Sequence, residues 1–294
     1  MNIKFNFYDI YAFALPGFLV LAVLWLPFGL ILGKWPDVQL SSALVAIILA
    51  YFTGIVLQTV AHNALPSSLP NGRYPSSVVL DKEDETFTYE VKALLSKRIM
   101  KVFGLDVYLE PAAGVIQKRV DRLRNDAFFL CRSALIKFKT VTYAEQFEGL
   151  YALMRGLSAA FAVAVVYYVG WAYSSLLPGR WSGPVVLLGI LAGFVGLKSG
   201  SRSKIARGMT SALFLVAAFA SGHYVGQLVV ATSEHRNEFL AAAVFSFFAS
   251  ERCYSNYKFY AKEFVKAVYR DFINGESPSE ESAANEDDEA VEET

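Results

Sequence analysis

Residues 40–62 read LSSALVAIILAYFTGIVLQTVAH, twenty-three residues without an Asp, Glu, Lys or Arg. A helix rises 1.5 Å per residue, so this stretch covers about 34 Å and can cross a hydrocarbon core of roughly 30 Å. It reads as a membrane span. Residues 8–33, 157–177 and 208–231 qualify on the same ground, while 184–197 and 239–250 are marginal by length. The chain of 294 residues is 54% hydrophobic, and only 18% is charged against roughly 25% in an ordinary soluble domain. The expected fold class is therefore all-α: a polytopic helical membrane protein. A soluble enzyme is excluded by the same count.

Lysine and arginine decide how the spans are arranged, because short flanks rich in them stay cytoplasmic. Six spans with the N-terminus inside place fourteen such residues in cytoplasmic flanks, against Lys34, Arg180 and Arg236 outside. Four spans, with 184–197 re-entrant, are the rival and fit the charges less well. The expected organisation is a transmembrane hairpin over 1–62, a helical cytoplasmic insert over 63–142 and a transmembrane bundle over 143–250. A basic amphipathic juxtamembrane helix over 251–275 follows, then a disordered acidic tail over 276–294 with nine acids and no base. Both termini are expected to be cytoplasmic. The apolar run that follows Lys4 and Asp9 is too long for a signal-peptide core and reads as a retained anchor.

Pro16, Gly17 and Pro27 interrupt the first span. A proline inside a helix removes an amide donor, and the carbonyl it frees must find another partner in the membrane. A kinked first helix is expected there, as a packing feature or a functional hinge. In the insert, apolar residues at three- and four-residue spacing predict helices over 83–103 and 112–138. Thr142 and Glu145 have capping-box spacing, so a helix should begin at Tyr143 and run unbroken into the third span. Glu148, Tyr151 and Arg155 share one face of that extension, which makes it a candidate coupling helix between insert and membrane, with Arg155 placed to snorkel at the inner interface.

Lys258, Lys262, Lys266 and Arg270 recur every four residues beside an apolar face of Tyr254, Tyr257, Ala261, Phe264, Val268 and Phe272. Two readings fit: a helix lying on anionic lipid, with these four bases as candidate lipid-binding residues, or a helix packed on the insert with a solvated basic face. Arg119, Arg122 and Arg124 with Phe128 and Phe129 suit a nucleic-acid contact or, more simply, another solvated face.

No nucleotide-binding loop, metalloprotease helix or zinc-spaced cysteine set occurs, and Cys131 and Cys253 stand apart. No catalytic residue, cofactor or metal is expected. The unambiguous spans lack mid-membrane acids and bases, leaving Gln58, His223, Gln227 and the hydroxyls as their polar groups, which argues against a proton-coupled carrier.

Tyr8-Asp9-Ile10-Tyr11 followed by Leu15-Pro16-Gly17, and the aromatic and basic run over 246–272, resemble compact bacterial inner-membrane effectors of anti-phage defence operons, the retron-associated transmembrane type among them. The resemblance is one of general plan and carries over no catalytic residues. It implies a non-enzymatic component that damages or depolarises the cell's own inner membrane when a cytoplasmic sensor is triggered. The expected partners are the lipid bilayer, a cytoplasmic protein or nucleoprotein acting through the insert, and further copies of the chain if a homo-oligomer forms the pore. The alternative is a stand-alone transporter or channel subunit.

Overall fold

The structure, a computed structural model, describes residues 7–33, 35, 39–65, 73–107, 117–137, 143–173, 216–221, 223 and 235–275. Among them all regular structure is helical. The helices are α1 (Phe7–Asp9), continued by a π-helical turn (Ile10–Ala14), α2 (Leu15–Leu32), α3 (Leu40–Ala64), α4 (Pro75–Val78), α5 (Tyr89–Phe103), α6 (Gln117–Lys137), α7 (Tyr143–Ala172) and α8 (Arg236–Asn274). They form two compact units. The first comprises 1–67 and 148–260, the second 68–147 and 261–294. The chain passes from one unit to the other inside α7 and again inside α8, with no break in either helix.

Among the described residues, three stretches are long and apolar enough to cross a membrane: Ile10–Leu32, Ser42–His62 and Tyr143–Ala172. The outer face of α3 is bare hydrocarbon, with Leu44 61% and Phe52 63% exposed beside Val45, Ile48 and Leu49. In water such a face would drive association; in lipid it costs nothing. Residues 239–250 fall in α8, where Phe245, Phe247 and Phe248 are likewise exposed. The expected spans over 184–197 and 208–231, Thr142 of the capping box and the acidic tail lie outside the described residues, apart from 216–221 and 223.

Helices α2 and α3 cross through glycine. A Cβ on Gly17 would overlap the Ala50 carbonyl, and one on Gly54 would overlap the Phe13 carbonyl, so the two backbones touch where only hydrogen fits. Above this crossing, Val23, Tyr167, Tyr168, Trp171 and Phe239 build an aromatic core, with Trp171 and Phe239 centroids 5.4 Å apart.

The second unit has its own core, in which Leu95 and Ile99 of α5, Phe128, Cys131 and Leu135 of α6, and Val268, Tyr269 and Phe272 of α8 are buried together. Helix α5 begins at Tyr89, six residues later than the periodicity suggested. The intervening residues are held in turns: Asp84 Oδ1 accepts from the Thr86 amide at 2.9 Å, and Thr88 is the extended N-cap. Gly104, at φ 69°, ends the helix in the left-handed conformation that glycine adopts without strain. Arg124 and Phe128, two of the residues that suggested a basic contact face, are core residues, Arg124 being only 6% exposed.

Candidate functional site

In a regular α-helix the amide of residue 16 would donate to the carbonyl of Ala12. Pro16 has no amide, and the chain widens just before it into the π turn, where the Leu15 amide reaches back five residues to Ile10. The Ala12 carbonyl takes its hydrogen bond from Gln58 Nε2 of α3 instead, at 2.8 Å. The same Nε2 donates to the Ala152 carbonyl of α7 at 2.7 Å. Gln58 is 5% exposed, so its amide ties three apolar segments together where water does not reach. Gly156 is the space for it: a Cβ there would stand 2.7 Å from both Gln58 Nε2 and Pro16 Cγ.

Pro27 repeats the device. It removes the donor to Val23, and the Tyr168 hydroxyl supplies one at 3.3 Å, with Tyr167 donating to the neighbouring Leu24 carbonyl at 3.3 Å. Each proline-freed carbonyl thus has a side-chain donor from another helix.

With Nε2 fixed, Gln58 Oε1 faces Arg155, whose Nε donates to it at 3.0 Å. Arg155 Nη1 stands 3.4 Å from His62 Nδ1, and the guanidinium lies over the Tyr151 ring at 5.4 Å. Tyr151 stacks on Tyr257 of α8 with centroids 4.9 Å apart and hydroxyls 3.4 Å apart. Tyr257 stacks in turn on Tyr254 at 6.0 Å, and Lys258 Nζ caps the column 4.1 Å from the Tyr254 ring. A cation stands at each end of three stacked tyrosines, an arrangement in which ring quadrupoles attract both charges. Ser158 and Ser250 pin the same two helices, the Ser250 hydroxyl donating to the Ser158 carbonyl at 2.9 Å.

Of the candidate coupling residues, Arg155 and Tyr151 enter this column, and Glu148 is half-buried one turn earlier on α7. Of the candidate kink residues, Pro16 shapes the Gln58 node, Gly17 the helix crossing and Pro27 the Tyr168 contact. Of the basic stripe, Lys258 belongs to the column in the first unit. Lys262, Lys266 and Arg270 lie in the second. There Lys266 pairs with Glu263 at 2.6 Å, and Arg270 is exposed over the Phe87 ring at 6.0 Å. The apolar face beside them is covered by protein, since Val265, Val268 and Phe272 are buried in that unit's core.

The second unit also holds a charged cluster. Asp81 receives Arg73 Nη1 at 2.5 Å and Nη2 at 3.0 Å, and pairs with Arg124 Nη1. Arg73 also bonds Asp121 through Nη2 at 2.6 Å. Burial works against the Asp81 charge, but the hydrogen bonds from the two guanidinium groups outweigh it and hold the carboxyl below its usual range. The same bonds, from Asp81 first and Asp121 second, hold Arg73 above its ordinary value. Lys92, 2% exposed, donates to the backbone carbonyl of Asp81 at 2.5 Å and to that of Asp84. These contacts lock 73–92 against α6, and every group in them is occupied by another.

Sequence reasoning had marked Gln58, Pro16 and Arg155 separately. It missed their meeting, which depends on the register of three helices. Among the described residues no cluster of His, Cys, Asp or Glu could hold a metal ion. His223 is buried with its ring stacked on Phe219 at 6.2 Å. A scan of protein-family models, a search of curated proteins and a search of solved structures each return no match to the chain, so its function must be read from this site and from the sequence.

Proposed function

We propose that the chain is a non-enzymatic, multi-pass membrane effector whose polar unit receives a signal and whose apolar helices perturb the bilayer. One observation carries this reading: α7 and α8 each run unbroken between the two units, and the Arg155–Tyr151–Tyr257–Tyr254–Lys258 column ties them together inside the first. A state of the polar unit that rotates or shifts one helix must disturb this column, and with it the Gln58 node on the proline-interrupted helix. On the resemblance drawn from sequence, the setting is a bacterial inner membrane and the trigger a phage-sensing protein or nucleoprotein. The charge bias supports six spans with both termini cytoplasmic, and Lys262, Lys266 and Arg270 as a charge-only attachment to anionic lipid.

The test is depolarisation. Gly149→Pro breaks α7 between its two parts at a cost of about 3 kcal/mol. Induced cells carrying the wild type with its trigger should lose membrane potential, read by a potential-sensitive dye, and Gly149→Pro should retain it at equal membrane expression. An unchanged potential with the wild type would remove the effector reading and leave solute transport in proteoliposomes as the activity to measure. Alkaline phosphatase fused at Gly275 should be inactive and at Glu234 active; activity at Gly275, or its loss at Glu234, would refute six spans.

A further inference from the structure

We infer that the groove between residues 86–94 and the end of α8 is a docking site for the acidic segment 276–294 of the same chain, with Val291 as its apolar anchor. The groove encloses about 300 Å³ in the second unit and is lined by Phe87, Val91, Leu94 and Ile273, with Thr88 and Arg270 at its rim. Leu94 is 53% exposed there, an apolar side chain left open on the polar unit. The path of the chain out of α8 selects the occupant. Arg98 of α5 donates to the Ile273 carbonyl at 2.6 Å and to the Gly275 carbonyl, and its guanidinium lies over the Phe272 ring at 5.6 Å. These bonds satisfy carbonyls that a helix C-terminus leaves open, and they pin the exit of α8 beside the groove that Ile273 lines. The nineteen residues that follow Gly275 hold nine of the chain's 27 acids and none of its 27 bases. At about 3.3 Å per extended residue they can turn back along the whole groove.

Charge and apolar pattern match on the two sides. Among the described residues no carboxylate pairs with Arg270, although Arg73, Arg124 and Lys266 all have one. Lys97 is exposed three residues after Leu94, one turn along the same face of α5. Glu90 takes its bonds from the Thr88 hydroxyl and its own amide, so its charge faces the N-terminus of α5. In the acidic segment, Ala290-Val291 lies between Asp287-Asp288-Glu289 and Glu292-Glu293, and Val291 is the one branched apolar residue. Val291 fills the apolar floor while the flanking carboxylates reach Arg270 and Lys97. Attraction between unlike charges brings the segment to the groove, and burial of the valine retains it. A docked segment also covers Arg270 and withholds one of the three bases proposed to attach to anionic lipid. Docking involves the second unit alone, so it rests neither on the effector reading nor on lipid attachment.

The experiment uses the full chain in an uncharged detergent free of anionic lipid, in a Cys253→Ser background where Cys131 is fully buried. Two cysteine pairs are compared under mild oxidation: Thr88→Cys with Val291→Cys at the groove, and Phe129→Cys with Val291→Cys at an exposed position of α6 within reach of the same tether. The groove pair should form its intramolecular disulfide about tenfold faster, because docking raises the local concentration above that of a loose tether. Arg270→Gln combined with Lys97→Gln should slow the groove pair several-fold, as should 1 M salt, whereas Arg119→Glu on α6 should leave it unchanged. Without any cysteine substitution, amides of 86–94 should exchange several-fold more slowly in the full chain than in one ending at Gly275. Equal rates for the two pairs, or equal exchange in the two chains, would overturn docking. A groove-pair rate unmoved by the glutamines would overturn recognition by charge. Disulfides formed only between two chains would overturn the intramolecular site and give the groove to the acidic segment of a second copy.

Discussion

The side-chain amide of Gln58 donates to the Ala12 carbonyl at 2.8 Å, the oxygen that Pro16 leaves without a helical amide. The two positions are 46 residues apart, and the pairing turns a helix defect into an attachment point between α3 and the first span.

If Gln58 is there to satisfy the proline, the two residues are energetically coupled. Gln58→Leu alone should destabilise the protein in detergent by about 2 kcal/mol, since it strands the Ala12 carbonyl and releases Arg155 Nε. In a Pro16→Ala background the residue-16 amide is restored and the cost should fall by roughly 1 kcal/mol. Thermal unfolding of the four proteins closes the cycle; strict additivity would show that Gln58 serves Arg155 and Ala152 only.

Two glycines should respond with opposite signs to the same change. Gly54→Ala places a methyl group onto the Phe13 carbonyl and should cost about 2 kcal/mol or more by prising α3 from the first span. Gly149→Ala meets nothing nearer than Tyr11 Cβ at 3.9 Å, and gains roughly 0.5–1 kcal/mol of helix propensity. The melting temperatures should therefore move in opposite directions.

The charged cluster predicts an acid limit for the second unit. Asp81 is held below its unfolded value of about 4, so its stabilisation is complete above that pH and disappears as pH falls through the lower folded value. Asp271 acts with the opposite sign: burial raises its carboxyl despite the bond from the Ala144 amide, so acid relieves it and softens the loss. Cys131 reports the opening, because its thiol is fully buried and pushed up to about 12 by that burial. In a Cys253→Ser background, Cys131 labelling by an acid-compatible disulfide reagent should accelerate below about pH 4. Asp81→Asn should label faster already at neutral pH and show a flatter acid limb.

Much of this architecture was open to sequence reasoning because it depends on short-range pattern. Helix α7 runs without a break from Tyr143 to Ala172, and the apolar stretches Ile10–Leu32 and Ser42–His62 follow from composition alone. What escaped were pairings across helices. Arg124 sits on a helix face that looks basic and solvated, and becomes core only because Asp81, 43 residues earlier, neutralises it. The basic stripe is regular in sequence, yet its apolar neighbours face the second unit's own core. Tyr254 and Tyr257 gave an apolar periodicity but no hint that Tyr151 would stack on them.

That stack yields the sharpest functional expectation. Tyr151→Phe keeps the ring between Arg155 and Tyr257 and forfeits the hydroxyl contact at 3.4 Å, so stability should change by less than about 0.5 kcal/mol. Tyr151→Ala removes the 4.9 Å stack and the face under the guanidinium, together worth about 1–2 kcal/mol, and leaves α7 and α8 joined by the Ser158–Ser250 contact and by the aromatic core around Trp171 and Phe239. If the column carries the signal, triggered depolarisation should survive Tyr151→Phe and be lost in Tyr151→Ala, at equal membrane expression and with Ser250→Ala as a control of comparable stability loss. Depolarisation by Tyr151→Ala at the wild-type rate would show that α7 and α8 move as independent helices, and that the tyrosine column is a packing contact alone.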